Sequence, residues 1–331
     1  GWSVAISGDG STVAIAALLE DGAGSGINSD VPDGPSGTDS GAVYVFARTG
    51  TDWVQQARIK ASNTGASDAF GFAVALSGDG NSLAVGAPAE DGVNEGALNS
   101  GAVYVFARTD SAWAQQAYVK SSGTSDTDRF GWALALSADG TILAVGAPQE
   151  DGAAPQSGAV YVFVRGSGGP AWVEQPKVMA EVGDSGDDFG YVVALSADGS
   201  TLAVGAPNED GASTGLTGNP ENDLADKAGA AYIFTRSGTA WVQHLYVKAS
   251  NTNQGDSFGT SASLSSDGAT LVVGATHEDS ASTGFNRGES DNTPSERGAA
   301  YVFTRSAAEW AQRAYLKASN SGVLQHFGRS V

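Results

Sequence analysis

The repeated pattern of the chain is clearest in residues 70–92, which read FGFAVALSGDGNSLAVGAPAEDG. Two apolar stretches in this segment, FAVALS and SLAVGAP, flank the dipeptide Asp79-Gly80. Runs of β-branched and apolar residues on either side of an Asp-Gly pair favour two strands joined by a type I′ hairpin turn. The segment therefore predicts an antiparallel hairpin with a two-residue turn.

The segment occurs five times, so the chain is a repeat protein. Its copies begin at Gly1, Phe70, Phe130, Phe189 and Phe258. Each copy continues with GAVYVF or a close variant, and then with a Trp-led segment such as WVQQARIKAS. The last residues, FGRSV at 327–331, start a sixth copy. We expect either a window from a longer array or a ring that the final Phe-Gly closes.

Each copy carries four strand signals, and no segment has a convincing helical period. Four antiparallel strands per unit, repeated radially, form the blade of a β-propeller. Parallel β-helices, the structural alternative, lack regular Asp-Gly hairpins. We therefore predict an all-β fold: a β-propeller of four-stranded antiparallel blades with five repeats present, as a five-bladed ring or as part of a seven-bladed one. The predicted blades of this single domain are residues 1–69, 70–129, 130–188, 189–257 and 258–326.

Two short motifs that recur along the chain indicate a known family. Phe-Gly opens the copies after the first, and Gly-Ala-Pro follows at residues 86–88, 146–148 and 205–207. The motif changes to Gly-Ala-Thr at 274–276 and to Ala-Ala-Leu at 16–18. In these features the whole chain resembles bacterial FG-GAP repeat proteins and, through that family, the seven-bladed propeller of integrin α subunits. The resemblance implies a propeller fold, and one fold hosts many functions.

Many integrin-type repeats carry a calcium loop similar to DxDxDGxxD between the first two strands. In this chain the loop has shrunk to Ser77-Gly78-Asp79-Gly80 and its equivalents. One carboxylate cannot supply the six to eight oxygens that Ca²⁺ takes. We therefore expect these aspartates to form turns, and we do not transfer the family's calcium site to them.

Composition excludes several classes of partner. The chain of 331 residues has 17 Lys plus Arg and 37 Asp plus Glu, a formal net charge of −20. A nucleic-acid partner is excluded because no basic surface can form, and an anionic membrane surface is disfavoured. No apolar run is long enough for a membrane helix, so we predict no membrane insertion. The absence of cysteine is compatible with export, and the resemblance implies an extracellular or cell-surface location, with the periplasm as alternative.

The acidic residues concentrate in two kinds of loop. The loops between the second and third strands of a blade (2–3 loops) and those between blades (4–1 loops) lie at the same ends of up-and-down strands, and they hold most of the 37 acids. The 2–3 loops also vary in length, from long ones at 22–40, 211–228 and 280–297 to a short one at 152–157. We therefore predict one acidic face with variable recognition loops.

Two acidic positions recur on this face. A Glu-Asp pair follows each Gly-Ala-Pro site or its variant, and an Asp stands two residues before each internal Phe. Clustered carboxylates need solvation, hydrogen bonds or a cation, so Ca²⁺ is the cofactor we predict here; the alternative is that each acid caps backbone N–H groups of its own turn. The candidate metal ligands are Glu90, Asp91, Asp128, Glu150, Asp151, Asp187, Glu209, Asp210, Asp256, Glu278 and Asp279.

Cations and tryptophans recur as well. Arginines end the third strands and lysines stand on the fourth, where we expect them to deter edge-to-edge aggregation; the alternative is docking of an acidic partner. A Trp begins each fourth strand, and we expect it to pack between strands or blades rather than to form a sugar-stacking platform. The lysines are Lys60, Lys120, Lys177, Lys248 and Lys317, and the tryptophans are Trp53, Trp113, Trp172, Trp241 and Trp310.

The symmetry of these features argues against an enzyme, which needs an asymmetric set of groups. The histidines, His244, His277 and His326, occupy unrelated positions, so we predict no catalytic site. The predicted function is a non-enzymatic extracellular binding or adhesion module whose acidic face holds a protein or a glycan. The alternatives are a self-associating structural subunit of a surface layer or filament, and a propeller glycoside hydrolase with paired carboxylates.

Overall fold

The structure is a computed structural model of the 331-residue chain. It describes residues 1–29, 37–92, 97–123, 125–166, 169, 171–216, 218–289, 291–293, 296–307, 309–320 and 322–331. Within these ranges the chain forms strands and no α-helix. The structure therefore has no helix, in the part of the chain it describes, with the length and hydropathy of a membrane span.

The strands form five sheets. The first contains β1 (Val4–Ile6), β2 (Thr12–Ala17), β3 (Ala42–Thr49) and β4 (Asp52–Ile59). The second contains β5 (Val74–Leu76), β6 (Ser82–Ala87), β7 (Ala102–Thr109) and β8 (Ala112–Val119). The third contains β9 (Ala133–Leu136), β10 (Ile142–Ala147), β11 (Ala159–Arg165) and β12 (Trp172–Glu174). The fourth contains β13 (Val192–Leu195), β14 (Thr201–Ala206), β15 (Ala230–Ser237) and β16 (Ala240–Val247). The fifth contains β17 (Phe258–Leu264), β18 (Thr270–Ala275), β19 (Gly284–Phe285), β20 (Ala299–Ser306) and β21 (Glu309–Lys317).

Each sheet is an antiparallel blade in which four strands lie side by side in chain order. In the fifth, the short β19 adds to the outer edge by pairing with β21. The all-β class with five four-stranded blades of propeller type is thus confirmed. By its internal contacts the chain divides into two compact units, Gly1–Glu150 with Tyr161–Gln175, and Asp151–Val160 with Pro176–Val331.

The hairpins between the first two strands differ from the predicted turn. A type I′ turn needs positive φ at both central residues, but in the second blade only Gly80, at φ +66°, is left-handed. The Ser77 hydroxyl donates to Asp79 Oδ1 at 2.6 Å and accepts the N–H of Ser82 at 2.9 Å. Side-chain hydrogen bonds therefore hold a longer four-residue turn, and the prediction of type I′ was wrong. The aspartates form turns, as expected.

In the first unit, successive blades are joined where Phe-Gly begins a new copy. Phe130 is buried, and its N–H donates to the carbonyl of Ser100 at 3.0 Å beside the parallel bridge between Gly101 and Phe130. Its ring packs edge-on against Tyr161 and Phe163, with centroids 5.5 and 5.9 Å apart. Phe130 thus joins two blades. Its backbone binds the start of the third strand of the preceding blade, and its ring packs on the third strand of its own blade.

The second unit repeats the arrangement. Phe189 bridges to Gly158 and packs against Tyr232 at 5.3 Å. Phe258 packs in the same way on Tyr301 at 5.3 Å. The phenylalanines predicted for the core are buried at Phe70, Phe130, Phe189 and Phe258, whereas Phe327 is partly buried.

Candidate functional site

The Glu of the repeated Glu-Asp pair is a buried acceptor. In the second blade Glu90 accepts hydrogen bonds from Lys120 Nζ at 2.8 Å, the Tyr118 hydroxyl at 2.8 Å, Asn63 Nδ2 at 2.9 Å and the N–H of Gly92 at 2.9 Å. Burial alone would raise the pKa of Glu90, but these donors outweigh it, so the pKa lies below its ordinary value. The carboxylate is therefore charged and neutralised by protein groups.

The same ion pair occurs in other blades and corrects the prediction for the lysines. Lys248 contacts Glu209 at 2.6 Å and Lys317 contacts Glu278 at 2.5 Å. In the first blade Lys60 and Arg58 both bind Glu20. Lys60, Lys248 and Lys317 are buried. They do not guard exposed strand edges, because the 2–3 loop folds back over the end of the fourth strand and brings its Glu to the ammonium group.

The Asp of each pair closes the base of its 2–3 loop. Asp91 Oδ1 accepts the N–H of Asn99 at 2.8 Å, and Asp279 Oδ1 accepts that of Glu296 at 2.9 Å. Both donor residues have positive φ, +52° and +46°. The same contact in the other blades uses Asp21, Asp151 and Asp210. Loops of very different length therefore share one closing hydrogen bond, as the capping alternative predicted.

The Asp two residues before each Phe is buried. Burial raises the pKa of Asp68 to about 6, of Asp187 to about 7 and of Asp256 to about 8. Backbone N–H donors oppose this, as from Asn253 to Asp256 at 2.9 Å, whereas neighbouring acids add to it. The remaining member, Asp128, is also buried and accepts the N–H of Ser125 at 2.6 Å. These carboxyls are structural acceptors of their own turns.

The candidate calcium ligands thus form local clusters in which most oxygens of known contact have donors, whereas the buried Oδ1 of Asp256 has no hydrogen-bond partner among the described residues. Asp256 lies close enough to Glu278 and Asp279 to feel their charges. The oxygens of Glu278 accept from Tyr315 at 2.8 Å, Asn251 at 3.0 Å and Lys317 at 2.5 Å. Ca²⁺ takes six to eight oxygen ligands, and a lysine already provides the positive charge here. The donor set does not fit calcium well, and Ca²⁺ binding stays a prediction.

Recurring Arg and Trp residues stack on each other across neighbouring strands. Arg108 lies opposite Trp113 in the β7–β8 register, with its guanidinium 5.5 Å from the ring centroid. The same stacking joins Arg165 to Trp172 at 5.5 Å and Arg305 to Trp310 at 5.7 Å. The arginines therefore pack on aromatic rings across the outer strand pair. This agrees with the packing role expected of Trp113, Trp172 and Trp310, whereas Trp53 is 44% exposed.

The variable loops carry several exposed apolar side chains. In the 211–228 loop Leu224 is 84% exposed, between the exposed acids Asp223 and Asp226. In the 280–297 loop Phe285 is 59% exposed, and in the last 4–1 loop Val323 is exposed too. Residues 30–36 of the 22–40 loop, residue 217, and residues 290 and 294–295 lie outside the described residues. Exposed side chains on loops of a rigid scaffold are candidate contacts for a partner.

One asymmetric cluster was missed by the sequence reasoning, which took the histidines as unrelated. The rings of His277 and His326 have centroids 5.1 Å apart. Nitrogens of these rings and a carboxylate oxygen of Glu296 lie within 4.8 Å of one another, the only such His-Asp-Glu group in the described ranges. Burial lowers the pKa of His277. Aligning all five copies position by position would have revealed the cluster.

The blades define the class of protein: an all-β repeat protein with antiparallel four-stranded blades of the β-propeller type. The sequence profile of the FG-GAP repeat matches residues 53–106, 113–163, 172–234 and 241–303, more than half of the chain. The chain belongs to the FG-GAP repeat family, as the resemblance predicted.

The sequence has no significant match among curated proteins. The solved structures of similar fold include a protein from Bacteroides uniformis that is described provisionally as a 6-phosphogluconolactonase. It is 13% identical, with a TM-score of 0.54 over 96% of this chain and 71% of that one. At this identity the likeness shows the fold alone.

Proposed function

We propose that the chain is a non-enzymatic binding module of the cell surface or extracellular space, which holds its ligand with the variable 2–3 and 4–1 loops. The observation that carries the proposal is that the repeated acids and the acids of the long loops have different surroundings. The repeated Glu and Asp residues accept internal hydrogen bonds, whereas Glu221, Asp223 and Asp226 are exposed beside Leu224 on a long loop. A scaffold held by its repeated residues leaves loop residues free for recognition.

A protein ligand with basic and apolar groups fits this surface better than a glycan. Carboxylates around an exposed leucine complement such a partner in charge and hydropathy. A sugar platform would need several open aromatic faces in these loops, where Phe285 is exposed. Of the repeated tryptophans, Trp113 and Trp310 are buried and covered by arginine, and the exposed Trp53 lies on a fourth strand, outside the variable loops. A glycan remains the second ligand class to be tested.

The test is binding of the purified chain to arrays of immobilised peptides and of glycans. We expect binding to peptides rich in basic and apolar residues, weakened by salt because exposed charges are screened. The triple variant Asp223→Asn, Leu224→Ser, Asp226→Asn should lose it. Asp52→Asn, at the exposed first residue of β4, is the matched control and should bind as the parent does. Equal binding by the triple variant would overturn the loop assignment, and a glycan signal alone would replace the ligand class.

The non-enzymatic part of the proposal has a separate test. The fold neighbour's provisional name suggests lactone hydrolysis, and propellers with paired carboxylates suggest glycoside hydrolysis. We expect no turnover of 6-phosphogluconolactone or of aryl glycosides above the buffer rate. The paired acids support this expectation, since their oxygens are already engaged by internal donors such as Lys248 and Lys317.

Self-association is a second candidate, which an apolar surface in the first unit favours. Val4 and Ile6 on β1 are 68% and 61% exposed. Nearby strands form an apolar hollow of about 420 Å³ lined by Val13, Ile15, Phe46 and Trp53. Copies that meet through this surface would suit a layer or filament subunit. Sedimentation velocity across a hundredfold concentration range tests it: a mass that stays monomeric rules this candidate out.

A further inference from the structure

The His277 cluster combines three positions that every copy of the repeat contains. They are the residue after Gly-Ala-Pro or its variant, the residue two before the Gly that precedes the third strand, and the residue before the next Phe-Gly. The fifth copy carries His277, Glu296 and His326 there. The first four copies carry Leu19, Asp39 and Ala69; Ala89, Asn99 and Arg129; Gln149, Gln156 and Asp188; and Asn208, Lys227 and Ser257. Three metal-binding side chains coincide at these positions in one copy alone, which structural repetition does not explain.

A fourth departure in the same copy orients the two imidazoles. Thr276 stands where the second to fourth copies have the Pro of Gly-Ala-Pro. Its carbonyl oxygen is 3.1 Å from His326 Nδ1, and its hydroxyl is 3.1 Å from His277 Nδ1. A carbonyl only accepts, so Nδ1 of His326 carries the proton and Nε2 keeps its lone pair. The hydroxyl can accept from His277 in the same way, and such contacts are how proteins orient metal-binding histidines.

We propose that His277, Glu296 and His326 bind one divalent transition-metal ion of the zinc type, with Thr276 as the positioning residue. Two imidazole nitrogens and one carboxylate oxygen are ligands that Zn²⁺ takes at about 2.0–2.2 Å. Ligand atoms around such an ion are roughly 3.4 Å apart in a tetrahedron, so atoms already within 4.8 Å need only side-chain rotation. A set with two nitrogens does not suit Ca²⁺, which prefers oxygen.

The surroundings leave room for a further ligand. His277 and Glu296 line a cavity of about 400 Å³ together with Asp279. His277 also lines a second cavity of about 260 Å³ with His326 and Arg329. An ion held by three protein ligands keeps a coordination position for water or another donor. The proposal does not depend on the binding-module function, because it rests on different residues.

The experiment titrates chelator-treated, dialysed protein with ZnCl₂ by calorimetry and counts bound metal by mass spectrometry. We expect one Zn²⁺ per chain, undisturbed by millimolar CaCl₂. His277→Gln and His326→Gln should each weaken binding at least tenfold. The third histidine, His244, is exposed on β16, so His244→Gln is the matched control and should bind as the parent does.

A further variant tests the positioning role. Thr276→Val keeps the size of the side chain and the carbonyl contact to His326 but removes the hydroxyl contact to His277. Loss of such outer contacts typically costs 10–100-fold in affinity, and we expect a decrease in that range. Thermal melts without metal establish that each variant is folded. Failure of the parent chain to bind Zn²⁺ at 100 μM, or equal weakening by His244→Gln, would overturn the proposal.

Discussion

At the scale of single residues, the buried lysines are the least replaceable charged groups. Lys248 is fully buried and contacts Glu209 at 2.6 Å. Lys248→Met leaves that carboxylate buried without its cation, which typically costs about 3–5 kcal/mol. We expect a decrease of that size in the free energy of unfolding, measured in urea. Lys227→Met, an exposed lysine of the same blade, should stay within about 0.5 kcal/mol.

A double variant separates the lost charge from lost packing. Lys248→Met combined with Glu209→Gln removes both charges and should recover part of the stability, because no uncompensated ion remains buried. If the double variant is less stable than Lys248→Met by the full cost of a second deletion, the two residues act independently and the ion-pair interpretation is wrong.

The buried aspartates make stability depend on pH in an unusual direction. The pKa of Asp256 is about 8 in the folded chain against an ordinary 3.8. Between these values the folded state keeps a proton that the unfolded state has lost, so the free energy of unfolding falls as pH rises from 4 to 8, by up to about 1.4 kcal/mol per pH unit for one group. Asp187, with a pKa of about 7, acts in the same sense.

Asp256→Asn tests this linkage. Asparagine cannot ionise, so the variant should lose part of the decline between pH 5 and pH 8 and gain relative stability at pH 8. The measurement is the urea midpoint at each pH. Asp226→Asn, at an exposed acid of the same unit, should leave the pH dependence unchanged. An unaltered slope in Asp256→Asn would show that this carboxyl is charged when folded.

At the scale of elements, the join between blades depends on glycine. Gly101 has φ +81°, and a Cβ there would lie 2.0 Å from the carbonyl oxygen of Phe130. Gly101→Ala combines a left-handed backbone, roughly 1–2 kcal/mol, with a clash against backbone, typically 1–3 kcal/mol. We expect a loss of about 2–5 kcal/mol by chemical denaturation. Gly50→Ala, at φ +65° with open space around it, should show the backbone cost alone.

The strands were predictable because their signal is local. Alternating apolar residues around Asp79-Gly80 indicated the hairpin, and the repeated Phe indicated the core. The turn type was not predictable from the Asp-Gly pair, because the Ser77 and Asp79 side chains bind each other and lengthen the turn. The buried lysines were also missed, since the sequence of a fourth strand alone does not reveal that the 2–3 loop of the same blade covers its end.

At the scale of the whole molecule, the charge of −20 has two parts with different roles. The repeated acids stabilise the blades through internal donors, as Glu90 does with Lys120. The acids of the variable loops, such as Asp223 and Asp226, are exposed and unrepeated. The sequence located both sets in the same loops but could not separate them, because burial depends on how each loop folds over its blade.

The difference between the repeated acids and the acids of the variable loops determines the effect expected of calcium on stability. If the repeated acids needed Ca²⁺, adding it to metal-free protein would raise the melting temperature, because a ligand that binds only the folded state stabilises it. Lysines already neutralise Glu90, Glu209 and Glu278. We therefore expect 1 mM CaCl₂ to shift the melting temperature by less than about 1 °C, a change too small to reflect ligand linkage at saturation. The His277→Gln variant should respond identically, which separates calcium from the proposed zinc site. A rise of several degrees, abolished by Glu90→Gln, would establish calcium at the repeated acids and displace the lysines as their principal counter-ions.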